Sequence, residues 1–255
     1  MALALHYKSY GAGRPLIILH GLFGSSNNWH TLSGELGEHF LVYAVDQRNH
    51  GQSPHSEEFT YQAMAEDLER FLADRGLERT SILGHSMGGK TAMEFALRSP
   101  WRVEKLIVVD IAPRAYDRGH DEILEAMVSL DLGSYTSRDA IDRALQSRIP
   151  DERVRQFILT NLKRLAGGHY VWKINLEVLR AKYDEVTKAQ DSALPFPGPA
   201  LFIRGDSDYI RDADRAGISR LFPRAVVRSI TGAGHWVHAD APEEFFRVVR
   251  EFLQE

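Results

Sequence analysis

The sequence predicts an α/β protein: a mostly parallel sheet with helices on both faces and a helical cap inserted above it. Three observations carry that expectation. Continuous apolar runs at 16–19, 41–45 and 106–109 are short and largely β-branched, the pattern of strands buried on both faces. Helical stretches separate these runs, and strand–helix alternation implies right-handed crossovers into a parallel sheet. From Pro113 to Pro199 the rhythm stops and helical patterning takes over. A chain of 255 residues can bury roughly 70–75% of its unfolded surface, so a large core needs no staples.

The elements follow in order. Residues 3–10 alternate loosely and stop at Gly11-Ala12-Gly13, which reads as a strand and a turn. A buried strand at 16–19, a helix at 27–38 and a second buried strand at 41–45 come next. The polar loop 46–54 carries Gly51 and has the look of a hydrogen-bonded structural turn. Over 60–75, Met64, Leu68, Phe71 and Leu72 fall on one helical face, and Gly76 ends it. A strand at 81–83, a helix at 87–98 stopped by Pro100, and the strand at 106–109 complete the first half. Helical patterns at 123–130, 140–146, 154–165 and 176–183 fill the insertion, and Pro195-Phe196-Pro197-Gly198-Pro199 closes it. A strand at 200–203, a helix at 213–221, a strand at 225–230 and a helix at 242–253 end the chain. The expected organisation is a core of residues 1–112 and 200–255 with a cap at 113–199.

Composition narrows the function classes. The net charge is −4 with no strongly basic segment, which argues against nucleic acid as a partner because phosphates need a positive field. There are no cysteines, so disulfides, thiolate nucleophiles and thiolate metal sites are excluded. No His-Glu-x-x-His or similar metal spacing occurs among the 11 histidines. The N-terminal apolar stretch is shorter than the roughly 7–15 residues of a signal-peptide core. No apolar run approaches the roughly 20 residues of a membrane span. The expected location is cytoplasmic.

The chemistry concentrates in a few segments. Gly84-His85-Ser86-Met87-Gly88 follows an apolar strand and opens a helix, the context a Gly-x-Ser-x-Gly nucleophile turn requires. Glycines flank the serine because the chain must turn sharply there, and the helix N-terminus favours developing negative charge. His20-Gly21-Leu22-Phe23-Gly24 also follows a buried strand. A loop there can aim a backbone N–H at a substrate carbonyl, pairing Leu22 with Met87 as an oxyanion hole. Taken without its context, the same loop is a glycine-rich turn with His20 as a structural hydrogen-bonder. His235, framed in Gly232-Ala233-Gly234-His235 after the last strand, can serve Ser86 as general base; it fits the loop apex better than His238. The carboxylate that fixes the His235 tautomer has two candidates, Asp110 and Asp208, with Asp206 a weaker third. Both of the first two lie at strand ends and satisfy the chain order Ser, Asp, His.

Together, HGLFGSSNNW, DQRNHGQS, GHSMGGKTAM, VVDIAP and GAGHWVH, in this order, resemble the α/β-hydrolase superfamily over the whole chain. Within it they are similar to the small bacterial esterases related to the mammalian abhydrolase domain-containing protein 11. The resemblance implies an α/β-hydrolase fold and a serine esterase or thioesterase acting on short-chain esters and acyl-CoA-type substrates without a cofactor. It implies Ser86 as nucleophile and His235 as base. The narrower group places the acid at Asp110; the wider superfamily usually places it in a Gly-x-x-Asp turn, here Asp208. Rival readings on the same scaffold are C–C bond hydrolysis, a perhydrolase or acyltransferase, and a binding protein without turnover. Fold alone does not choose among these.

Overall fold

The computed structural model describes residues 1–255. Nine strands form: β1 Tyr7–Tyr10, β2 Pro15–Leu19, β3 Leu41–Val45, β4 Thr80–His85, β5 Val103–Val109, β6 Leu162–Arg164, β7 Tyr170–Trp172, β8 Ala200–Arg204 and β9 Ala225–Ser229. Eleven α-helices accompany them: α1 His30–Leu36, α2 Tyr61–Asp74, α3 Met87–Arg98, α4 Asp121–Val128, α5 Arg138–Leu145, α6 Glu152–Leu159, α7 Leu176–Ala181, α8 Tyr183–Thr187, α9 Arg215–Leu221, α10 Val237–Asp240 and α11 Pro242–Gln254. Seven strands make one sheet in the order β1-β3-β2-β4-β5-β8-β9. Only β1 is antiparallel; the remaining pairings are parallel. This is the α/β-hydrolase architecture.

Alternate residues of the buried strands feed two cores. Ile17, Leu19, Ile82, Leu106 and Phe202 meet α2, α3 and α9 on one face. Leu16, Ile18, Leu83, Ile107 and Leu201 meet α1 and α11 on the other. That two-sided burial is the physical cause of the unbroken apolar runs. Parallel pairing brings the C-terminal ends of β2, β4, β5 and β8 to one edge, where open α/β sheets gather their ligands.

No strand of this sheet lies between β5 and β8; residues 113–199 leave the sheet and return to it. Leu124, Met127, Ile158, Leu176 and Leu179 of that segment pack on Leu22, Phe23 and Met87, so it covers the edge where β2 and β4 end. The chain enters and leaves side by side: the Tyr116 N–H donates to Thr187 O at 2.9 Å and the Gln190 N–H to Pro113 O at 2.8 Å.

Two expected elements are revised and one is added. The helix expected over 154–165 ends at Leu159, and β6 and β7 pair as a hairpin. Gly168, at φ +85°, supplies the left-handed turn, and the Leu165 N–H closes it on His169 O at 2.8 Å. The strand expected over 3–10 starts only at Tyr7, because the Leu3 N–H donates to the Asp67 carboxylate at 2.5 Å instead of to a strand. The final loop holds the short helix α10, which four residues with one buried apolar side chain do not announce.

Candidate active site

Ser86 sits between β4 and α3 at φ +53° and ψ −120°, a strained conformation for a residue with a Cβ, costing about 1–3 kcal/mol. Its neighbours permit the turn by lacking side chains. A Cβ on Gly84 would lie 2.2 Å from Gly88 O, and one on Gly88 would lie 2.5 Å from both His20 O and Leu19 O. The Ser86 N–H is held by Val109 O at 3.0 Å, which anchors the turn to β5. Ser86 borders a cavity of about 350 Å³.

Asp110 ends β5, is fully buried and also has a positive φ, +50°. One carboxylate oxygen accepts the Gly205 N–H at 3.1 Å; the other accepts Ser207 Oγ–H at 2.5 Å and His235 Nδ1–H at 2.8 Å. The loop after β8 therefore secures Asp110. Asp208 itself makes no bond to His235: its carbonyl accepts from Arg114 at 3.1 Å, and its side chain borders a second cavity. Asp206 accepts the Gly232 N–H at 2.7 Å and steadies the loop that carries His235.

His235 is held from several sides. Its Nδ1 faces Asp110, and the Tyr209 ring stacks on it at 3.9 Å. His85 Nε2–H donates to its backbone carbonyl at 2.9 Å. With Nδ1 committed to a carboxylate, Nε2 is the free nitrogen, and His235 and Ser86 border the same cavity. No hydrogen bond joins Ser86 Oγ to the imidazole; such contacts commonly tighten only when substrate binds. The surrounding imidazoles stay neutral. Burial pulls His238 and His120 each down to about 4, with the proximity of His235 adding to both. Burial, then His235, holds His85 well below the usual imidazole range. None of these three imidazoles adds a positive charge beside His235.

The Leu22 N–H has no acceptor within the chain, and Met87 is the first residue of α3, where an N–H has no partner inside its helix. The loop bearing Leu22 is fixed by the segment 46–53. His20 Nε2 accepts the Gln47 N–H at 3.0 Å, so its Nδ1 carries the proton and donates to Gly21 O at 2.8 Å. His50 Nε2 accepts the Phe23 N–H at 3.3 Å, and Asp46 accepts the Ser26 N–H at 2.6 Å. Arg48 is fully buried against Asp67 at 2.7 Å. The polar loop is thus a structural brace, as its composition suggested, and His20 is a hydrogen-bonder within it.

Sequence reasoning missed four residues here: His85, His120, Tyr209 and Lys90. A lone histidine or tyrosine carries no spacing signal, whether it ends a strand like His85 or lies in a loop like Tyr209. Lys90 reads as a solvated helix residue, yet only 1% of it is exposed. No group of three or more His, Asp or Glu side chains is arranged to hold a metal ion, and no helix is long and apolar enough to cross a membrane.

Known proteins share this fold and much of this sequence. The family model described as alpha/beta hydrolase fold matches residues 14–242. The chain is 39% identical over 247 residues to the mouse (Mus musculus) protein named sn-1-specific diacylglycerol lipase ABHD11, covering 93% of this chain and 80% of that one. It is 35% identical over 243 residues to Esterase YbfF of Escherichia coli, covering 94% and 93%. A solved structure titled Marine microorganism esterase superposes with a TM-score of 0.96 at 43% identity, covering 98% of this chain and 100% of that one.

Proposed function

The chain belongs to the α/β-hydrolase family, and on that premise we propose that it is a serine esterase working through an acyl-serine intermediate, with oxyesters or thioesters of short to medium chain as substrates. The observation that carries this reading is the bond of 2.8 Å from His235 to the buried Asp110, with His235 and Ser86 on one cavity. His235 Nε2 takes the Ser86 Oγ proton as Oγ attacks the carbonyl carbon. The oxygen that becomes negative is met by the N–H of Leu22 in its loop and that of Met87 at the start of α3. Asp110 holds the imidazole in the required tautomer and stabilises the imidazolium. That imidazolium then gives its proton to the departing alcohol or thiol, and the C–O or C–S bond breaks. Water, deprotonated by the same nitrogen, releases the acid and frees Ser86. Residues 113–199 act as the cap that walls the site, and no step calls for a cofactor.

Names of the relatives agree with ester hydrolysis: one is called a lipase and two are called esterases. A fluorophosphonate probe tests the reading. Wild type is expected to label stoichiometrically, and Ser86→Ala to label not at all and to lose about 10³-fold or more in ester turnover. Stoichiometric labelling of Ser86→Ala would show that the nucleophile lies elsewhere.

A further inference from the structure

Ser86 borders two cavities. The first, of about 350 Å³, is also walled by His235 and Trp236. The second, of about 360 Å³, runs past Met87 and Lys90 and does not touch His235. Leu22, Ser86, His120 and Tyr209 border both and mark their junction.

The chemistry of the reaction tells the two apart. A tetrahedral carbon on Ser86 Oγ carries three further groups. Its oxygen must point to the Leu22 and Met87 N–H groups. Its leaving oxygen must receive a proton from His235 Nε2 as the C–O bond breaks, so the alcohol has to lie on the side of His235. The acyl chain takes the remaining direction, past Met87. We propose that the cavity walled by His235 holds the alcohol half of the ester and the cavity past Met87 holds the acyl half. This assignment rests on the serine-esterase reading above.

The walls then define the substrate class. Trp29, Val154, Phe157, Ile158 and Trp236 line the alcohol cavity, and its Arg153 and Asp240 are paired with each other. That surface suits a bulky apolar alcohol. The acyl cavity is edged by Tyr61, Tyr116 and Tyr183 and carries charge: Asp117, Asp208 and Arg211 line it without any ion partner. Charged side chains that stay hydrated accept a polar group on the acid more cheaply than an apolar wall does. The substrate class is an ester whose acid is open to polar substitution and whose alcohol is bulky and apolar.

Two ester series test the assignment, one varying the acid at fixed alcohol, the other the alcohol at fixed acid. Val186 borders only the acyl cavity and Phe157 only the alcohol cavity. Val186→Phe is expected to cut kcat/KM for the longer acids by about tenfold or more and leave the ranking of alcohols intact. Val186→Ala is expected to extend the accepted acid length, which keeps the test open should the larger residue not fold. Phe157→Ala is expected to erase the preference for bulky alcohols and leave the ranking of acids intact. Single-turnover decay of the acyl-enzyme separates these effects further, because the alcohol has already left: Val186→Phe should change that rate and Phe157→Ala should not. A terminal hydroxyl on a hexanoyl acid should cost less in kcat/KM than the same hydroxyl on a hexyl alcohol. Interchanged effects, both variants shifting both series, or an equal hydroxyl cost in the two halves would overturn the assignment. Failure of the underlying reading looks different: no acyl group would accumulate on Ser86 in any variant.

Discussion

At the scale of single residues, the carboxylate that bonds His235 is where the structure adds most to the sequence. Asp110 directly follows β5 and Asp208 lies beyond the end of β8, its neighbour in the sheet, and both satisfy the chain order Ser, Asp, His. What separates them is the backbone turn at Asp110, φ +50°, and three donors from Gly205, Ser207 and His235. All three lie about a hundred residues downstream, beyond any local pattern. Asp110→Asn is expected to lower kcat by about 10⁴ with the fold intact, since an amide favours the wrong imidazole tautomer. Asp208→Asn is expected to cost about tenfold or less by the same reasoning, because no hydrogen bond reaches His235 from it. Steady-state kcat of the two variants decides, and a more damaged Asp208→Asn enzyme would reverse the roles. Ser86 and His235 were legible because glycines announce the turns that carry them; Asp110 has no such neighbour.

At the scale of elements, the turn between β4 and α3 is tightly specified. Gly88→Ala would set a Cβ 2.5 Å from two backbone oxygens, contacts that no rotamer relieves. Chemical denaturation is expected to show a loss of about 1–3 kcal/mol or more, and an unchanged midpoint would mean that the turn has slack. Farther along α3, Lys90 ties both ends of the insertion together by donating to Arg114 O at 2.7 Å and to Lys188 O. Burial, with Arg114 adding to it, pulls its ammonium from the ordinary 10.5 down to about 7. Below that value Lys90 is protonated in both folded and unfolded chains. Between about 7 and 10.5 only the unfolded chain binds the proton, so stability from this site rises with pH over that window. The unfolding free energy of wild type minus that of Lys90→Met should therefore grow from pH 7 to pH 10, and a constant difference would contradict it. The strands were legible because burial on both faces removes polar residues from them. The hairpin β6–β7 was not, because three-residue strands with exposed positions look like helix ends.

At the scale of the whole molecule, a parallel sheet brings its strand ends to one edge and a single excursion of chain walls them in. The excursion is a closed unit, since Tyr116 and Thr187 are hydrogen-bonded where it begins and ends. Replacing residues 117–186 with a short flexible linker is expected to leave a folded sheet that still carries Ser86, His235 and Asp110, with an altered preference among esters. A soluble truncated protein with an unchanged profile would show that the insertion does not shape the site. The central claim, a covalent acyl group on Ser86, is tested most directly by mixing the enzyme with a p-nitrophenyl ester, quenching in acid within the first turnovers and mapping the adduct by peptide mass spectrometry. The expected result is one acyl group on the peptide containing Ser86, with none on Ser86→Ala. An adduct on another residue, or Ser86→Ala turning over the ester at the wild-type rate, would contradict it.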